Sequence, residues 1–92
     1  MKKSILSNEK RCYICGKRTS LHLHHVFRGR NRPISDENGF VVYLCETHHT
    51  DGNFGVHARK DLNEWLMQKT QRAYEETHSR EEFVKLIGKS YL

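Results

Sequence analysis

Phe40-Val41-Val42-Tyr43-Leu44-Cys45-Glu46-Thr47-His48-His49 runs an apolar, β-branched stretch straight into metal-binding side chains. The stretch from Phe40 to Cys45 reads as a buried strand, because branched and aromatic residues without polar interruption suit a covered, pleated surface. Cys45-x-x-His48 then repeats the spacing of Cys12-x-x-Cys15 near the N-terminus, where Gly16 permits the tight turn that aims thiolates inward. Three thiolates and one imidazole make a closed tetrahedron with no position for a substrate. The pattern therefore predicts a structural Zn²⁺ that ties an N-terminal knuckle to the end of the strand, held by Cys12, Cys15, Cys45 and one of His48 or His49. His48 is favoured, on spacing.

At 92 residues the chain makes one domain, and apolar burial alone leaves a thin margin over chain entropy. A staple is expected. Three cysteines cannot pair completely into disulfides within one chain, which again favours a metal. No stretch approaches the roughly 18 apolar residues of a membrane span, and Met1-Lys2-Lys3 leads into no apolar run. The chain thus reads as soluble, without a membrane role, and cytoplasmic, where reduced thiols are available to metal.

The net charge of +5 is unevenly spread. Residues 1–32 hold nine Lys/Arg against one acid, a net +8, while residues 33–92 hold seven against ten, a net −3. The basic part also carries His24 and His25, and a positive field beside a metal site suits capture of a phosphodiester.

Three segments follow: a flexible basic lead-in over 1–11, a core over 12–57, and C-terminal helices over 58–92 that pack on that core. Within the core, Leu21–Phe27 reads as a strand with Leu21, Leu23 and His25 on one face and His22, His24 and Val26 on the other. Arg28 to Pro33 reads as a loop carrying Arg28, Arg30 and Arg32 towards phosphates, and Asn38-Gly39 as a turn into the second strand. The two strands are expected to pair antiparallel around this long basic loop. Ala58–His78 has helical periodicity, with Leu62, Trp65, Leu66, Ala73 and Tyr74 on one face and Trp65 read as core. Ser79-Arg80-Glu81-Glu82 reads as a capping box opening a last helix, closed by Gly88. The fold class is α+β.

With His48 assigned to zinc, His24, His49 and His57 have no structural task. A lone histidine is usually a satisfied polar group, but three beside a basic surface suit a divalent ion with positions left for water and phosphate oxygens. His25, on the opposite strand face, is free to act as a base near neutral pH. His22 shares the face of His24 and reads as an exposed edge residue or a supporting partner, and His78 as a helix end without chemistry.

Leu23-His24-His25-Val26, the strand Val41–Leu44 and Cys45-Glu46-Thr47-His48-His49 together resemble the HNH endonucleases of the ββα-metal (His-Me finger) class, closest to small phage and prophage members with a structural zinc. The resemblance covers roughly Cys12 to His57. It implies His25 as general base, with His24 and His49 as ligands of a catalytic Mg²⁺ or Mn²⁺, or Zn²⁺ or Ni²⁺. The third ligand is His57, preferred on its chemistry, or Asn53. Phe40 occupies the place where the family usually has its middle asparagine, and Asn38 is the nearby candidate to brace the loop. The implied activity is hydrolysis of DNA to 5′-phosphate and 3′-hydroxyl ends, by a monomer or weak dimer that works beside a phage or host recombination or packaging protein.

Two other readings compete: a non-catalytic zinc module that binds nucleic acid, and an adaptor using its acidic C-terminal helices to contact a partner. Seven histidines, four of them in adjacent pairs, exceed what one zinc explains and favour the enzyme.

Overall fold

The computed structural model describes residues 3–52 and 55–92. Strand β1 (Leu21–His25) is followed by a 3-10 turn (Gly29–Asn31), helix α1 (Arg32–Asn38), strand β2 (Val41–Cys45) and the short helix α2 (Glu46–His49). Two longer helices, α3 (Lys60–Tyr74) and α4 (Arg80–Ile87), complete the chain. The strands form one antiparallel pair, with His24 opposite Val42 and Leu23 opposite Tyr43. A hydrogen bond from Val26 N to Phe40 O (2.9 Å) extends the ladder one step beyond the assigned strands.

Alternation along the pair decides what each face does. Val42 and Leu44 share the face of His24, and all three are buried, whereas Leu21, Leu23 and Tyr43 on the other face are only half-buried. Phe40, Val26 and Phe27, just beyond the strand ends, join Leu66 of α3 and Phe83 and Ile87 of α4 in the core. Phe27 meets Phe40 and Phe83 edge-on, each at 5.6 Å between centroids. Phe40 is therefore a fully buried core aromatic.

The loop reading of the segment after Arg28 and the core reading of Trp65 are corrected. The segment after Arg28 is largely helical, because Pro33 sits in the first turn of α1, where its fixed φ favours a helix and its missing N–H costs nothing. The turn into β2 at Asn38-Gly39 is made by Gly39 as the left-handed C-cap of that helix (φ 74°), where a Cβ would clash with the Lys3 carbonyl oxygen. Trp65 is 40 % exposed, since the buried stripe of α3 runs through Leu66, Thr70 and Gln71; its ring leans on Tyr13 and carries Lys69 Nζ above it.

The described part of the lead-in is tied down: Ile5 N donates to Gly39 O at 3.0 Å, and Leu6 packs on the core. Helix α3 is shorter at both ends than the 58–78 expected. The capping box at Ser79 and Glu82 and the left-handed Gly88 are present as read. No helix among the described residues is long and apolar enough to cross a membrane.

Candidate metal centres and basic concavity

Cys45 ends β2 and serves as the N-cap of α2. The single turn that follows brings His48 Nδ1 to 3.3 Å from Cys45 Sγ and 3.7 Å from Cys12 Sγ, while Cys15 Sγ lies 3.7 Å from Cys45 Sγ. Ligands on a tetrahedral zinc are separated by about 3.3–3.8 Å, so these donors fit one ion. Burial pushes the Cys12 thiol up, but the Cys45, Cys15 and Ile14 backbone groups outweigh it and bring it down to about 6. At Cys15 the Lys17 amide pulls downward, yet burial and the neighbouring thiols raise it above its usual range. Thiols crowded in this way gain from a shared cation. Tyr13 N donates to Tyr43 O at 2.8 Å, which fastens the knuckle to β2.

The next residue along α2 is turned about 100° around the helix. His49 therefore leaves the thiolate cluster and faces β1, where it meets His24 and His57: their ligating atoms all lie within 4.8 Å of one another. His49 Nε2 is 3.1 Å from His57 Nε2, and His49 Nδ1 is 3.0 Å from His22 Nδ1. Val56, buried and donating its N–H to His48 O at 2.8 Å, anchors the segment that delivers His57. The structure thus separates the adjacent histidines, His48 to the cysteines and His49 to the imidazoles. Asn53, the other third-ligand candidate, lies outside the described residues.

His24 is 1 % exposed, and its Nε2 makes no hydrogen bond. Gln71 and Thr70, by contrast, are satisfied: Gln71 bonds Glu75, Ser90 and the Tyr91 amide, and Thr70 bonds Leu66 O; Asn63 Oδ1 on α3 is the other bare buried atom among the described residues, away from the imidazoles. A buried imidazole nitrogen left bare beside two further imidazoles fits a cation as its missing partner. Burial first, then the neighbouring His49, His57 and Arg28, pushes His24 down to about 3. His49 and His57 are lowered as well, each chiefly by burial, with Arg28 adding in both. At neutral pH all three rings are therefore uncharged, the form in which imidazole ligates metal.

His25 leaves the other face of β1, yet both it and His24 line a concavity of about 350 Å³ together with Leu23, Arg28, Gly29, Arg32, His49 and His57. His25 Nε2 sits 3.2 Å from Asp36 Oδ1, a carboxylate supplied by α1. The Arg28 guanidinium donates to His57 Nδ1, so in this arrangement Nε2, which faces His49, carries the ring hydrogen, and ligation through Nε2 requires Arg28 to release Nδ1. Arg30, the middle guanidinium, turns away from this concavity and lines a separate one with Lys85.

Asn38 does not brace the His25 segment; its side chain donates to Ile34 O within α1 at 2.8 Å. The brace is Ser35, fully buried, whose hydroxyl donates to Phe27 O (2.7 Å) and accepts from Phe27 N (3.2 Å). Ser35, Asp36 and the supporting role of His22 escape a motif search. The first two sit in a helix masked by arginines and proline, and only the shared strand face of His22 and His24 hinted at the third.

No family model, curated protein or solved structure matches the chain.

Proposed function

We propose that the protein is a metal-dependent DNA endonuclease of the HNH type, in which a structural zinc supports a separate catalytic ion. The observation that carries this reading is the convergence of His24, His25, His49, His57, Arg28 and Arg32 on one concavity. A base, a set of cation ligands and phosphate-binding guanidiniums are the parts that phosphodiester hydrolysis needs.

His24, His49 and His57 would hold the catalytic ion, and Cys12, Cys15, Cys45 and His48 the structural one. The catalytic ion, when bound, supplies charge stabilisation for the phosphate oxygens and the departing 3′ oxygen. His25 takes the proton of the attacking water. With Nε2 held by Asp36, its Nδ1 is the nitrogen free to do so. Arg28 and Arg32 bind phosphate oxygens and hold the backbone over the base, a contact that carries no base identity and predicts weak sequence preference. Three imidazoles without a carboxylate favour Zn²⁺, Ni²⁺ or Mn²⁺ over Mg²⁺, which prefers oxygen ligands.

Relaxation of supercoiled plasmid by zinc-loaded protein, with each of these ions and with chelator, tests the reading. Cutting that requires an added divalent ion supports it; retained plasmid binding with no cutting under any ion favours a zinc-stabilised binding module or adaptor.

A further inference from the structure

The arginines of the 28–32 segment divide between two hollows. Arg28 and Arg32 line the histidine concavity, whereas Arg30 lines a second hollow of about 350 Å³ with Asn31, Ile34, Lys85, Leu86, Ile87 and Gly88. Lys85 comes from the C-terminal part of the chain, which is acidic overall and whose sequence gave no reason to place it against nucleic acid. The fold brings it beside Arg30. Asn31 Nδ2 donates to Ile87 O at 3.0 Å and fastens the 3-10 turn to the end of α4. Arg30 and Lys85 are both exposed, and no acidic side chain among the described residues lines this hollow.

We infer that Arg30 and Lys85 form a second phosphate-binding station, which carries the nucleic-acid backbone away from the histidine concavity and over the C-terminal end of α4. The inference rests on the endonuclease reading above for its ligand. Two cations from separate elements that the Asn31–Ile87 bond holds together, with Arg30 lying between Arg28 and Arg32 in sequence, match a polyanion that passes from one hollow to the next. A phosphodiester backbone needs only spaced cations, and Arg30 and Lys85 extend the run begun by Arg28 and Arg32. The station adds affinity and orientation and reads no base.

Duplex DNA binding, followed by fluorescence anisotropy across a salt series in a His25→Ala background that cannot cut, tests it. Arg30→Gln and Lys85→Gln should each lower the slope of log K against log salt by about 0.9 and weaken binding up to about tenfold near 0.1 M salt. Lys69→Gln, beside Trp65 in another hollow, is the control and should leave both unchanged. Zinc content confirms folding of every variant. Unchanged slopes in Arg30→Gln and Lys85→Gln, with DNA still bound, overturn the station alone, as does an equal loss in Lys69→Gln. No duplex binding by any form, together with no plasmid cutting by wild type, overturns the endonuclease reading as well.

Discussion

His22 Nδ1 lies 3.0 Å from Nδ1 of His49, on the side of that ring opposite the nitrogen that faces His57. One hydrogen bond there fixes the His49 ring and leaves Nε2 for metal. Partners of this kind are worth about 10–100-fold in metal affinity. His22→Ala should weaken binding of the second ion by that factor and leave the thiolate site intact, as read by competitive titration against a metal indicator. Equal affinity would show that the contact orients nothing.

Asp36 stands in the same relation to His25. Asp36→Asn should lower kcat with little change in KM, because the carboxylate orients the base and touches no substrate. The loss should be smaller than the about 10²–10⁴-fold that a general base contributes. Steady-state kinetics on a labelled duplex separates the two parameters, and a rise in KM at constant kcat would assign Asp36 to binding instead.

The thiolate site should govern folding. Cys12 and Cys45 are buried and face each other across the knuckle and β2, so without a shared cation the knuckle is held to β2 mainly by the Tyr13 N to Tyr43 O bond. Ligand binding free energy becomes folding free energy in such sites. Cys45→Ser, or strong chelation, should abolish cooperative thermal unfolding, measured by circular dichroism; His49→Ala should keep it.

Acid should act through His24. Its folded pKa, about 3, lies below the ordinary value of 6.5. Between these limits the unfolded chain binds a proton that the folded chain does not, so stability falls as the pH drops below 6.5 and keeps falling towards 3. His24→Leu removes this contribution. Without a second ion, the difference in unfolding free energy between wild type and variant should shift in favour of the variant as the pH falls from 7 to about 5. A pH-independent difference would mean that His24 is not held neutral.

Much of the site was legible in the sequence because its signals are local. Cys-x-x-Cys, Cys-x-x-His-His and a His-His pair on an alternating strand fix ligand types and faces before any packing is known. The separation of His48 from His49 follows from helical rotation within one turn. What escaped depends on packing at a distance. Ser35 and Asp36 act only because α1 folds back beside β1, and α1 was hidden by Pro33 and Gly39, residues that mark helix ends as readily as loops. Trp65 was misplaced by one position in helical phase, for Leu66 alone of that pair reaches the core. Lys85 meets Arg30 through the docking of α4, which no charge count along the chain can reveal.

Single-turnover cleavage of duplex DNA by wild type and by His25→Ala, each loaded with both ions and each shown to bind the duplex equally, is the most direct measurement. The account predicts that the variant keeps both ions and its DNA affinity while its cleavage rate falls by about 10²–10⁴-fold. Cleavage at the wild-type rate would contradict it, because among the described residues lining the concavity no other side chain is left free to take the proton.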